Sequence, residues 1–463
     1  MLRKIRIAAS AFFFVLTTLL FLDFTGTLHA WFGWMAKIQF LPALLALNVG
    51  VVAFLVILTL LFGRVYCSVI CPLGVMQDIV SWASGKRRKH RNRFAYSPAL
   101  TWLRRGMLVV FVAAMLAGVG SLLAPYSAYG RIASNLLAPV YAWGNNLLSY
   151  IAGRMDSYAF YSVDVWMKSL STLLVAVVTF AVLFVLAWRS GRTYCNTICP
   201  VGTVLGFLAR YSLFKPRFDT SKCNGCKLCA RNCKASCIDP AAHKIDYSRC
   251  VACMDCLENC RQGAITYTLR RRKPDPAPVP QRPAADAAKT PSDASRRRFL
   301  GLAGIVAYSA LRAQEKKVDG GLAVIVDKKI PNRATPVVPP GAQSLRHFNA
   351  HCTGCQLCVS VCPNQVLRPS GKLMTLMQPE MSFERGYCRP ECTKCAEVCP
   401  TGAIRLTDLA GKSSIQIGHA VWIAENCVVN TDGVSCNNCA RHCPAGAIKM
   451  VRRDPDDPKL SLI

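Results

Sequence analysis

Histidine is scarce: seven residues in 463, of which only His29 lies near a long apolar stretch, and the sequence C-x-x-C-H is absent. Haem held among apolar helices needs several axial ligands, and covalent attachment needs that sequence, so no haem is expected. Acidic residues are also few, 25 against 56 lysines and arginines, for a formal charge of +31. Such a charge could mark a nucleic-acid binder. Here much of it sits in runs beside apolar segments, such as Lys86-Arg87-Arg88-Lys89-His90-Arg91 and Arg270-Arg271-Arg272-Lys273, where a cytoplasmic membrane flank is the commoner cause. No nucleic-acid partner is expected.

What the chain has in quantity is apolar length and cysteine. Four stretches, Ile5–Phe24, Leu41–Phe62, Leu103–Leu123 and Leu170–Trp188, are each long and apolar enough to cross a bilayer as a helix. The basic loops beside them (Arg3, Lys4 and Arg6; Lys86–Arg93; Arg189 to Arg217) belong on the cytoplasmic side. Arg131–Tyr150, interrupted by Pro139 and Asn145-Asn146, reads as an interfacial or half-buried piece of the outer face.

Of 25 cysteines, twenty fall into five quartets. Gaps of two and three residues suit one compact cluster better than disulfides between distant loops, and zinc sites pair C-x2-C knuckles a dozen or more residues apart. In Cys223-x2-Cys226-x2-Cys229-x3-Cys233 and Cys250-x2-Cys253-x2-Cys256-x3-Cys260 three thiolates wrap one cubane while the fourth reaches the neighbour. One [4Fe–4S] cluster therefore takes Cys223, Cys226, Cys229 and Cys260, the other Cys250, Cys253, Cys256 and Cys233. The proline usual after the fourth cysteine is replaced by Lys234 and Arg261, and Cys237 is left over as a substitute for Cys233 or a spare thiol.

Three further runs follow: Cys352-x2-Cys355-x2-Cys358-x3-Cys362-Pro363, Cys388-x3-Cys392-x2-Cys395-x3-Cys399-Pro400 and Cys427-x8-Cys436-x2-Cys439-x3-Cys443-Pro444. The second and third have widened first gaps and end on Gly-Ala-Ile, as does the run ending at Cys260, which suggests one duplicated fold. Their exchange would give Cys388, Cys392, Cys395 and Cys443 for one cluster, and Cys427, Cys436, Cys439 and Cys399 for the other. The first run then lacks a partner.

The remaining four cysteines belong to an internal repeat. Gly63-Arg64-Val65-Tyr66-Cys67-Ser68-Val69-Ile70-Cys71-Pro72-Leu73-Gly74 matches Gly191-Arg192-Thr193-Tyr194-Cys195-Asn196-Thr197-Ile198-Cys199-Pro200-Val201-Gly202 at eight of twelve positions. Both copies follow a span directed inward, which places them at the cytoplasmic interface. Helix stopping explains glycine and proline but not the duplicated cysteines, so Cys67, Cys71, Cys195 and Cys199 are candidates for a metal centre or two redox-active dithiols.

The expected organisation is multi-domain: an α-helical membrane domain of about four transmembrane helices over 1–215, and a double-cluster α+β ferredoxin-like domain over 216–272. A Pro/Ala-rich linker over 273–294, a twin-arginine-like signal or anchor over 295–313 and a C-terminal ferredoxin-like domain over 314–463 follow. Arg296, Arg297, Phe299 and Leu300 carry the signal, whose export role would put the C-terminal domain in the periplasm while the first ferredoxin domain stays cytoplasmic.

On these motifs residues 1–270 resemble the NapH and NosR type of membrane polyferredoxin. Residues 295–450 resemble the NapG and MauM type of exported ferredoxin. The resemblance implies a multi-pass protein of the bacterial inner membrane with up to five [4Fe–4S] clusters. It would be an electron-transfer subunit rather than a stand-alone catalyst, taking electrons from the quinone pool, with a quinone as a candidate cofactor, or from a cytoplasmic donor, and passing them to a partner oxidoreductase subunit. A maturation factor delivering electrons to another metalloenzyme and a membrane redox sensor are the alternatives. The NapG-like pattern has four runs against three here, so Cys362 either closes its own cluster with Cys352, Cys355 and Cys358 or leaves that site incomplete, and a truncated chain is a further reading.

Overall fold

A computed structural model describes residues 1–87, 93–118, 122–269, 335–384, 386–405, 408–424, 427–431, 434–443, 446–454 and 457–462. The linker and arginine signal expected over 273–313, and most of the basic Lys86–Arg93 run, lie outside them. Two compact units emerge, Met1–Ser413 and Ser414–Ile463, the division falling inside the C-terminal domain expected over 314–463.

The first unit begins with helix α1, Leu2–Leu22. It stops where the Asp23 carboxylate accepts the N–H groups of Thr25 (3.0 Å), Gly26 (2.9 Å) and Leu28 (2.9 Å), an Asx turn that competes with further helix. The stretch expected as one span over Leu41–Phe62 is divided. A short helix Phe40–Leu45 ends before Leu47, which takes φ +53°, and Asn48 then caps helix α2, Val49–Phe62, by accepting from Val51 N at 3.3 Å.

Each copy of the cysteine repeat makes the same local structure. Gly63 (φ +74°) closes α2 and is followed by the short helix α3, Val65–Val69, and by α4, Pro72–Gly85. Extended Cys71 is the N-cap of α4, and Pro72 sits in its first turn, where no N–H is needed. The second copy follows in the same order after the residues between. These include α5, Thr101–Leu116, closed by Gly118 at φ +75° well before the expected Leu123, then α6, Pro125–Ile132, and α7, Ala138–Arg154. A π-helical turn, Ala133–Leu137, joins α6 and α7, widening the helix just before Pro139, which cannot donate a backbone hydrogen bond. Helix α8, Leu170–Ser190, then leads through Gly191 (φ +67°) to α9, Thr193–Thr197, extended Cys199, and α10, Pro200–Ala209. By length and composition α1 and α8 can cross a membrane, and α2 and α10 are shorter apolar helices.

Residues 214–269 form the first cysteine module. Strands β1, Phe214–Phe218, and β4, Ile265–Leu269, pair antiparallel from Phe214↔Leu269 to Phe218↔Ile265. Between them lie α11, Leu228–Arg231, the small pair β2, Ile238–Asp239, and β3, Lys244–Ile245, and α12, Asp255–Asn259. The second module repeats the plan around α13, Leu357–Ser360, the antiparallel pair β5, Leu367–Pro369, and β6, Pro379–Met381, and α14, Lys394–Glu397; α13 packs on α14 as α11 packs on α12.

The two modules dock at opposite ends of α1. At its start Arg3 pairs with Asp255 at 2.9 Å, in the first module. Just past its end Thr25 O accepts from Lys394 Nζ at 2.8 Å, in the second. The Ser414–Ile463 unit, by itself, contains the short helices α15, Val428–Thr431, and α16, Asn438–Arg441, and a hairpin of β7, Val451–Asp454, and β8, Asp457–Leu462.

Candidate functional site

In the first module Cys223, Cys226, Cys229 and Cys260 line one cavity. Cys250, Cys253, Cys256, Cys233 and Cys237 line another. The binding turns owe their shape to left-handed residues at matching positions. Gly225 and Lys227 stand two and four residues after Cys223, Ala252 and Met254 after Cys250, Gly354 and Gln356 after Cys352, all with φ between +48° and +73°. Such turns point backbone N–H groups at the thiols: those of Ala230, Ala252 and Leu357 face Cys229, Cys250 and Cys355. Burial pushes the thiols of Cys229 up to about 11 and of Cys355 and Cys395 up to about 12, so free thiolates there are costly. Iron would supply the missing counter-charge and displace the protons.

Cys237 Sγ lies 3.6 Å from Cys233 Sγ. Its hydrogen bonds favour the thiolates of Cys233 and Cys250 and hold its own proton in place. Lys234, standing where proline is usual, has a separate task. Its ammonium bridges Asp78 (3.2 Å) in α4 and Asp255 (3.0 Å), tying the module to the helical domain.

In the second module Cys352, Cys355 and Cys358 share a cavity with Cys399. Cys362 falls within electrostatic reach of Cys388 and Cys395, which neighbour Cys392. Within Met1–Ser413, then, Cys399 faces the first run and Cys362 the second, whereas the widened gaps suggested Cys399 for the run of Cys427, Cys436 and Cys439. The insertion between Cys388 and Cys392 lengthens a loop without changing which helices pack together, so neighbours in sequence pair as in the first module. Cys427, Cys436, Cys439 and Cys443 are left as a quartet in the second unit, where Cys443 Sγ accepts from Ala447 N at 3.4 Å.

Among the described residues no three Cys, His, Asp or Glu side chains converge on a single-ion site. The thiols line the walls of cavities instead, an arrangement fit for a cluster with several irons rather than for one tetrahedral ion with bonds of about 2.3 Å.

The repeat cysteines Cys67, Cys71, Cys195 and Cys199 are all buried, each at most 6 % exposed. They lie within the helical domain. The copies are held together by crossed arginines. Arg64 donates to Cys195 O (3.1 Å) and Asn196 Oδ1 (2.9 Å) of the second copy, while Arg192 donates to Cys67 O (2.7 Å) of the first and pairs with Asp78 (2.7 Å). Gly74 and Gly202 make room for this: a Cβ there would stand 2.3 Å from Cys67 O and Cys195 O respectively, and within 2.8 Å of the crossing guanidinium. The arginines of the motif were visible in sequence, but their crossing was not. Asp78 was missed altogether, though one acid in an otherwise uncharged helix was the available signal.

Comparison with known proteins agrees with this chemistry. A family model described as a 4Fe-4S binding domain matches residues 44–90 and 172–221, and a 4Fe-4S dicluster domain matches 351–403, a span that contains the eight cysteines of the two rings just described. The ferredoxin-type protein MauN of Paracoccus denitrificans is 28 % identical over 172 residues, covering 37 % of this chain and 48 % of MauN. MauM of Methylophilus methylotrophus is 33 % identical over 123 residues (24 % and 50 %), and NapH of Escherichia coli 29 % over 195 residues (42 % and 55 %). The chain spans about half the length of these relatives. No solved structure matches. Cysteine rings and matched domains define an iron–sulfur protein of the ferredoxin type. Within that class the chain is similar to NapH, MauN and YccM.

Proposed function

We propose that the protein is a membrane electron conduit, with one ferredoxin module on each side of the bilayer. The observation that carries this reading is the docking of the modules at opposite ends of α1, a helix of 21 residues, about 30 Å long and thus as long as the hydrocarbon core is thick. Basic residues at the start of α1 favour the cytoplasmic side for the first module, which leaves the second on the outer face.

The cysteine rings ligate [4Fe–4S] clusters: Cys223, Cys226, Cys229 and Cys260; Cys250, Cys253, Cys256 and Cys233; Cys352, Cys355, Cys358 and Cys399; Cys388, Cys392, Cys395 and Cys362. Such clusters supply one-electron transfer. The chain's own part is to exclude water, set the charge around each ring and fix the rings relative to one another. Electrons enter from a quinol or a cytoplasmic donor and leave to a partner oxidoreductase subunit.

Sidedness is the test. With Lys222→Cys in the first module and Met374→Cys in the second, both at exposed positions, a membrane-impermeant maleimide should label Met374→Cys only in right-side-out vesicles and Lys222→Cys only in inverted ones. Labelling of both in the same vesicles would overturn the conduit.

A further inference from the structure

Each of the two segments matched by the 4Fe-4S binding-domain model carries only two cysteines, so neither could ligate a cluster with four thiolates alone. The fold combines them. Cys71 lies within electrostatic reach of Cys67 and Cys195, and Cys199 within reach of all three.

The surroundings are cationic and short of counter-charge. Arg64 and Arg192 are 0 % exposed. Among the described residues no carboxylate pairs with Arg64, and Arg192 shares Asp78 with Arg6 and Lys234. Arg64 Nε and Arg192 Nη2 are buried without a hydrogen-bond partner. Buried guanidinium groups require an anion nearby. The groups facing them are thiols: Arg64 Nη2 is 3.8 Å from Cys67 Sγ and Arg192 Nη1 3.8 Å from Cys195 Sγ. Two further donors point at sulfur, Gln77 Nε2 at Cys195 (3.3 Å) and Gly202 N at Cys199 (3.3 Å). Four ligating thiolates around iron and sulfide would carry the negative charge that the arginines lack, and N–H groups aimed at sulfur are what tune such a centre.

Position adds the second argument. Toward the first module, Arg64 donates to Ser248 O (3.2 Å), two residues before Cys250, and Cys250 is within its electrostatic reach. Toward the second, Tyr194, beside Cys195, donates to Leu123 O (3.3 Å) and lies within electrostatic reach of Arg131, as Cys355 does. Gly130 admits the Cys355 carbonyl so closely that a Cβ would stand 2.4 Å from it.

We propose that Cys67, Cys71, Cys195 and Cys199 jointly hold one iron–sulfur centre, with Arg64 and Arg192 as its counter-charges, and that this centre is the relay between the Cys250 ring and the Cys355 ring. Its place as a relay rests on the conduit reading. One electron arrives from the Cys250 ring and one leaves to the Cys355 ring, with no bond made or broken. A dithiol would instead pass electrons in pairs with protons, whereas its neighbours on both sides pass them singly.

The test uses the full chain purified in detergent. In the unmodified protein, electrons supplied to the first module should appear in the clusters of the second, followed by electron paramagnetic resonance; their failure to do so sinks the conduit itself. Cys67→Ser/Cys195→Ser should lose the iron and sulfide of one centre and slow that passage at least about tenfold, with the ferredoxin signals retained. Unchanged iron and sulfide overturns the centre, and lost iron with unchanged passage overturns the relay. Because the double variant removes ligands inside a packed domain, Arg64→Gln provides a second reading. It should keep the iron and move the midpoint potential of the signal missing from the cysteine variant to a more negative value, since a nearby positive charge favours the reduced state. An unchanged potential overturns the counter-charge role.

Discussion

At the scale of single residues, Cys237 and Cys233 compete for one position in a ring, and hydrogen bonding separates their roles. Cys237 Sγ lies 3.6 Å from Cys233 Sγ and lines the same cavity as Cys233 and Cys250, so it stands where it can hydrogen-bond the ligands rather than replace one. Cys237→Ala should keep the iron of the first module and shift one cluster potential downward, whereas Cys233→Ala should lose about four irons; iron analysis with a redox titration separates the two. Asp246 is a structural counterpart. Burial pushes its carboxyl up, but hydrogen bonds from Ser248 and Arg249 (2.8 Å) outweigh this and hold it below the ordinary carboxylate range. A depressed value means stability that is full above about pH 4 and fades as pH falls through the folded value. Asp246→Asn should therefore cost roughly 1–3 kcal/mol at neutral pH and nothing at the acid end, read as thermal unfolding of the first module against pH.

At the scale of elements, the repeat works as an interlocked pair because each copy ends a helix with a glycine, turns at a cysteine and restarts with proline. Gly74→Ala or Gly202→Ala would drive a methyl into the facing carbonyl and guanidinium, and each should destabilise the helical domain by about 1–3 kcal/mol, measured as the temperature at which it unfolds in detergent. Asp78→Asn should be worse. It leaves Arg6, Arg192 and Lys234 without their shared carboxylate, a loss of about 3–5 kcal/mol for a buried pair, and should also loosen the first module, seen as faster proteolysis after Arg217. Much at this scale was legible in the sequence. The repeat and helices at α1 and α8 follow from spacing and apolar length. The break at Leu47 was not, because a leucine at φ +53° takes a conformation that local preference disfavours. Which run Cys399 faces was not legible either, because it follows from which helices pack rather than from loop length.

At the scale of the whole molecule, the two ways of completing the rings predict different behaviour when the chain is shortened. If the runs beginning at Cys388 and Cys427 exchanged their fourth cysteines, ending the chain after Ser413 would take away Cys443 as well as Cys427, Cys436 and Cys439, and two clusters, about eight irons, would be lost. In the structure the ring of Cys352, Cys355, Cys358 and Cys399 and the ring of Cys388, Cys392, Cys395 and Cys362 draw every thiol from within Met1–Ser413. The same truncation should then cost only the quartet of the second unit, about four irons. The rings left behind should keep their absorbance and their signals, because Gly130, Gln378 (3.2 Å to Gly118 O) and Lys394 fasten the second module to the helical domain without help from beyond Ser413. Iron and sulfide analysis of the shortened chain beside the full one, with Cys399→Ser as the comparison, decides between them. A loss of about eight irons on truncation would restore the exchange between the second and third runs.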